Sequence, residues 1–329
     1  MTLLLLPLLL AAQPAPTWPP LAQRLYFRRG GAVAVYDLAA QREQVLWPER
    51  EAGNDDPPSA SADGAVVFFS LAGNLWAMPA GGGRPTRLTS LGGGERGRCE
   101  RPLPAPDRRW VAYCFRPGQG PAQVRCVRPD GRDDHLLAVE GEPPYAWSPS
   151  GTYLVFARGG RLWRCVPQQP EPTALTTAGE QADSAPRFLP DGRLLLRRGS
   201  VPSVLASDGQ VTPATPRGLD ATRVVPSPDG QRLALVRFVV DPRESRHGWT
   251  ELHVTELRAA RSRLVLSTHA PTSVVGRVAL LGWHDRAHLL VLRDLNEPFR
   301  KVYRLDVATS AAELVFKAQH QDDGFAVWP

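Results

Sequence analysis

A short turn followed by an apolar run recurs along this chain. The clearest copy is Pro226-Ser227-Pro228-Asp229-Gly230 ahead of Leu233-Ala234-Leu235-Val236. Degenerate copies read Ser61-Ala62-Asp63-Gly64, Ala105-Pro106-Asp107-Arg108, Ser148-Pro149-Ser150-Gly151, Leu189-Pro190-Asp191-Gly192 and, more weakly, Trp283-His284-Asp285-Arg286. The turn positions 63, 107, 150, 191, 229 and 285 are separated by 44, 43, 41, 38 and 56 residues. A period of roughly 40–45 residues with several short strands per repeat predicts a β-propeller. The turn chemistry agrees. Pro presets φ, Asp accepts from the backbone amides ahead of it, and Gly takes the positive φ of a tight hairpin.

Each repeat parses into four strands, and none can bury both of its faces alone, so neighbouring blades must stack. Residues 24–29 read as a second strand with no first strand before it. The chain finishes on Asp322–Pro329, which reads as a first strand with no turn after it. Pairing the two ends would close a ring of seven four-stranded blades and remove an open sheet edge. The expectation is an all-β, seven-bladed propeller over 24–329, with a linker over 16–23. The 56-residue gap is assigned to an insertion in blade six, about Val240 to Trp249.

Residues 1–15 carry an apolar run followed by small residues and Pro, which reads as a secretory signal too short to span a bilayer. It lacks a charged n-region, and the alternative is an unstructured tail. Export predicts a periplasmic or secreted protein. The net charge is +6, but the arginines are scattered through every repeat, so nucleic acid is not an expected partner. Four cysteines, Cys99, Cys114, Cys126 and Cys165, have no C-x-x-C spacing, which argues against zinc. Cys99 and Cys114 flank one turn almost symmetrically, which makes them the first disulfide candidates. Cys126 and Cys165 fall on third strands of consecutive blades and are candidates to meet across the interface. Buried free thiols are the alternative.

The repeats around Ser227-Pro228-Asp229-Gly230, Ser61-Ala62-Asp63-Gly64 and Ser148-Pro149-Ser150-Gly151, with their following strands, resemble the WD-repeat-like propeller repeat of the TolB family. The same repeat occurs in propellers of prolyl-oligopeptidase-like enzymes. The resemblance implies the propeller fold and leaves function open, since this repeat serves many roles. Seven blades are counted here against six in TolB proteins, and the short stretch before residue 24 is not expected to hold TolB's N-terminal domain.

No G-x-S-x-G elbow, H-E-x-x-H pair or phosphate-cradling loop is present, and neither metal nor cofactor is expected. One charge pattern stands out. An acid sits shortly before most turns: Asp55 or Asp56, Glu100, Glu142, Asp183, Asp220, and Asp322 or Asp323. An arginine sits shortly after: Arg116, Arg158, Arg198, Arg237, Arg293, and Arg28 or Arg29. Antiparallel pairing predicts cross-strand ion pairs Glu100–Arg116, Glu142–Arg158, Asp183–Arg198 and Asp220–Arg237. Where the pattern breaks, charge is left over. Asp55, Asp56, Asp322 and Asp323 should make one side of the channel mouth negative, and Arg277 and Arg293 should make the other positive. Trp249 and Phe299, on the longest loops, are candidate binding anchors. The reading is an exported, monomeric, non-enzymatic scaffold that binds another envelope protein or peptide at the mouth. Two alternatives are a channel-mouth enzyme (a metal-assisted hydrolase or lactonase) and a propeller related to those of prolyl oligopeptidases.

Overall fold

The computed structural model describes residues 24–48, 56–177, 179–241, 248–259, 261–268, 277–294, 301–317 and 322–328. Twenty-eight strands fall into seven four-stranded antiparallel sheets, the blades of a propeller. Asp322–Trp328 forms the inner strand of blade one beside Arg24–Arg29, with Leu25 opposite Val327 and Arg29 opposite Asp322. The last strand of the chain thus closes the ring.

Period-two alternation explains why the ring holds together. In blade four, Leu154 and Phe156 pack toward blade three, whereas Val155 between them packs toward blade five. In blade two, Val67 and Phe69 face blade one while Phe68 faces blade three. There are seven buried apolar clusters, one at each blade interface. Each fully buried Phe or Leu stabilises by about 1.5–3 kcal/mol relative to exposure, and both faces of every blade are used. Indole donors add polar stitching between blades. Trp147 Nε1 donates to Leu103 O at 2.8 Å, and Trp283 Nε1 to Val225 O at 3.1 Å.

The repeated turn has the expected chemistry. Asp229 Oδ1 accepts from Ser227 Oγ at 2.6 Å and from Gln231 N at 3.0 Å, while Gly230 sits at φ +65°. Blade three places Arg108 at the glycine position, at φ +62°, a conformation an L side chain occupies at a cost. The 56-residue spacing corresponds to a long hairpin in blade six, Arg232–Val240 with Gly248–Glu256.

The disulfide expectation is corrected. All four cysteines are buried free thiols. Cys99 lies opposite Phe115, and Cys114 lies opposite Glu100. The register is therefore one residue away from what a Cys99–Cys114 bridge needs, and one residue reverses the face. Cys99 packs toward blade two and Cys114 toward blade four. Cys126 and Cys165 do meet in the cluster between blades three and four. Burial pushes the Cys99 and Cys165 thiols up to about 11, and Cys126 is raised further.

Candidate functional site

The inner strands surround the channel, and several carry an irregularity at the same level. Pairing shifts between Glu100 and Leu103 in blade three, between Glu142 and Ala146 in blade four, and between Ser184 and Arg187 in blade five. Arg101 (φ +58°) and Ala185 (φ +52°) sit in left-handed backbone inside two of these shifts. Bulges of this kind bend a strand and re-aim its side chains. Together the inner strands of blades two to six line a channel cavity of about 650 Å³.

The lining is part apolar and part cationic. Pro57, Pro102, Leu103, Pro143, Pro144 and Tyr145 form much of the apolar wall. Arg101, Arg116, Arg187, Arg197 and Arg223 supply the charge, against Glu100 as the one acid among the described lining residues. Glu100 is engaged by Arg116 and by Arg98, whose Nε lies 3.0 Å from Oε2. Arg101 Nε lies 3.4 Å from Asp56 Oδ1, and Arg197 Nη1 donates to Thr222 O at 3.1 Å. The side chains of Arg187 and Arg223 have neither a hydrogen bond nor an ion pair among the described residues. Burial, assisted by the charge of Arg223, lowers Arg187 to about 10. Burial and the charge of Arg101 also lower Arg223.

The ring of sequence-predicted pairs is only partly assembled. Asp183 is fully buried and takes a bidentate grip from Arg198, at 2.8 and 2.9 Å. Glu100 meets Arg116 diagonally. Arg237 turns to Glu251 on the following strand, 3.8 Å away, and Asp220 lies exposed ahead of the inner strand Arg223–Pro226. The Glu142 side chain lies outside the described residues, while Arg158 stacks on Trp163 at 4.1 Å.

Of the expected negative flank, Asp56 has a described side chain. Asp56 is half-buried, accepting from Arg101 N at 2.7 Å and Ser70 Oγ at 2.8 Å. Burial pushes its carboxyl up against the opposing pull of those bonds and of the Arg101 and Arg28 charges. Arg28 is itself 1% exposed and donates to the carbonyls of Asp56, Gly31 and Ser70 at 3.1, 3.0 and 2.6 Å. This cluster joins blade one to blade two. Asp55, Phe299 and the side chains of Arg277, Asp322 and Asp323 lie outside the described residues. Arg293 is half-buried and does not line the cavity. Trp249 is also half-buried, with Nε1 donating to Glu251 at 2.9 Å, and is not an exposed anchor. The channel arginines Arg101, Arg187, Arg197 and Arg223 were missed. Their one sequence signal is position: Arg101 and Arg223 each stand six residues before a turn aspartate, and Arg187 stands four before.

No family model matches the chain, and no curated protein matches it in sequence. Solved structures do match in fold. TolB from Acinetobacter baumannii superposes with TM-score 0.54 at 13% identity, over 93% of this chain and 83% of that one. The periplasmic gluconolactonase of Pseudomonas aeruginosa gives TM-score 0.57 at 16% identity, over 93% and 100%. Puromycin hydrolase gives TM-score 0.64 at 16% identity, and this chain spans about half of it (53%). The chain thus shares the propeller fold of TolB structures. These similarities establish the scaffold, since the same fold carries a hydrolase, a gluconolactonase and TolB alike.

Proposed function

We propose that this protein is an exported, non-enzymatic binding propeller that takes its ligand into the central channel. The observation that carries the reading is the channel cavity itself. Its volume lies within the ~300–1,000 Å³ of small-molecule sites, and its wall combines apolar surface with convergent polar groups. The donor set favours binding over hydrolysis. General acid–base catalysis draws on titratable groups poised near the operating pH, whereas the lining offers guanidinium groups, one carboxylate already held by two arginines, and the Tyr145 hydroxyl, which donates to Arg101 O at 3.2 Å and is pushed well above its ordinary range by burial. Export rests on the apolar segment within residues 1–15.

The test is to plug the channel. Thr222 is exposed and lines the cavity, so Thr222→Trp should fill it at the cost of one hydrogen bond, from Thr222 Oγ1 to Val236 O at 3.0 Å. Native mass spectrometry of the protein equilibrated with envelope extract should show an adduct on the parent and none on the plugged variant. An adduct that survives the plug would overturn the channel as the site. Turnover of lactones or esters that is lost with the plug would favour the enzyme reading.

A further inference from the structure

We propose that the channel cavity binds a small ligand carrying at least two negative charges on carboxylate or phosphate oxygens, held between Arg187 and Arg223, with Arg101 and Arg197 alongside. The proposal rests on the channel reading above and names the ligand class for that site.

Four observations converge on it. First, the partners of the channel arginines divide sharply. Arg101, Arg116 and Arg197 each engage an acceptor from the protein, whereas the side chains of Arg187 and Arg223 engage none among the described residues. Arg197 keeps one donor in reserve, since its Nε is buried without a hydrogen-bond partner. Second, the unmatched groups sense one another. The charge of Arg223 acts on Arg187, and that of Arg101 acts on Arg223. Arg187 remains protonated at neutral pH, because it titrates only near 10. A partly apolar space that brings half-buried Arg187 and exposed Arg223 together, neither side chain with a protein acceptor among the described residues, is poised for two negative charges.

Third, the backbone is bent where these groups are delivered. The shift between Ser184 and Arg187, with Ala185 at φ +52°, immediately precedes Arg187. The shift after Glu100, with Arg101 at φ +58°, contains Arg101. Left-handed backbone at a non-glycine residue persists only where its surroundings compensate, and it concentrates at ligand sites. Two independent blades bear it at one level, each beside an arginine of this cavity. Fourth, the size and walls fit. The space of about 650 Å³ holds a small molecule, and Pro144, Tyr145 and Leu103 offer surface to its carbon skeleton. A planar guanidinium matches the paired oxygens of a carboxylate or phosphate in a bidentate fork.

The experiment uses the full chain in low-chloride buffer at pH 7. Citrate and pyrophosphate are the two probes, acetate is the monoanion and glycerol the neutral control, each titrated calorimetrically and by thermal melting. At least one dianionic or more highly charged probe should bind with one-to-one stoichiometry and raise the melting temperature. Acetate should bind far more weakly, and glycerol should not bind. Preference for citrate assigns a carboxylate ligand, and preference for pyrophosphate assigns a phosphate. Removal of one charge-assisted fork should weaken binding on the order of tenfold or more, so Arg187→Gln and Arg223→Gln should each do so and the double variant should abolish it. Arg223→Lys, which keeps the charge and loses the fork, should fall between the parent and Arg223→Gln.

A purely structural role for these arginines makes the opposite forecast for the ligand-free protein. Relief of like-charge repulsion should leave the double variant melting at or above the parent temperature, whereas loss of a structural contact would lower it. The proposal is overturned if neither polyanion binds, if binding survives the double substitution, or if the double variant melts clearly below the parent. Should the polyanions fail while the Thr222→Trp plug still removes an adduct from envelope extract, the channel remains the site and only the anionic class is refuted.

Discussion

Arg28→Met is the sharpest test of how the ring is locked. Arg28 is among the largest fully buried side chains of the protein and reaches from blade one into blade two. It donates three hydrogen bonds to the carbonyls of Gly31, Asp56 and Ser70. Methionine keeps the stem, so packing changes little, but three carbonyls lose their donor and Asp56 loses one nearby positive charge. Each orphaned buried acceptor costs about 1–3 kcal/mol, and removal of the buried guanidinium recovers part of its own desolvation, so a net loss of about 3–5 kcal/mol follows. Unfolding entropy of ~2.1 cal/mol/K per residue, over roughly 300 residues, converts that loss into a melting-temperature drop of about 5–8 °C. Urea unfolding followed by tryptophan fluorescence, with calorimetry alongside, measures both. Arg98→Met serves as control, because its partner Glu100 is shared with Arg116 and Arg98 is 69% exposed. Its effect should stay under about 1 kcal/mol. An Arg28→Met protein within about 0.5 kcal/mol of the parent, below the range expected for even one lost buried hydrogen bond, would refute the reasoning.

Three further outcomes are expected. The turn aspartates Asp63 and Asp229 are held below the usual carboxylate range, Asp63 at about 2, chiefly by hydrogen bonds from Ser61 and Ala65, and Asp229 by bonds from Ser227 and Gln231 that outweigh its burial. Depressed folded values mean that their stabilisation is present above the unfolded value of ~3.9 and is lost as pH falls toward 2, so melting temperature should decline between about pH 4 and 2 and decline less in an Asp63→Asn, Asp229→Asn variant. Arg108→Gly should raise stability by roughly 0.5–1 kcal/mol in urea unfolding, since glycine relieves the left-handed backbone and the exposed Arg108–Asp63 pair contributes little. Iodoacetamide should leave all four cysteines unmodified in the folded protein and alkylate all four after unfolding without reductant, whereas any thiol missing from the unfolded count would restore a disulfide.

The fold was legible because its signal repeats. A Ser/Pro-Asp-Gly turn has one job, and several copies at a near-constant spacing specify blades whatever their neighbours do. Closure was legible for the same reason: a surplus strand at one end matched a missing one at the other, and Asp322–Trp328 pairs with Arg24–Arg29. The channel depends on registers that spacing does not encode. Asp183 meets Arg198 because those residues stand directly opposite each other. A one-residue difference in register separates Cys99 from Cys114 and turns what looked like a bridge into two thiols on opposite faces. Asp220 fails to meet Arg237 because the paired inner strand begins only at Arg223, and Glu251 is the directly paired neighbour of Arg237. Arg187 and Arg101 reach the cavity through bulges beside left-handed residues, and nothing in the local sequence announces either bulge.

The most direct measurement is an anomalous diffraction map of crystals soaked in selenate, a dianion whose position can be read without assumption about the natural ligand. The account predicts a peak inside the channel, within hydrogen-bonding reach of both Arg187 and Arg223, that is lost in the Arg187→Gln, Arg223→Gln variant. Peaks confined to outer arginines such as Arg132, with none between the two channel guanidinium groups, would contradict it.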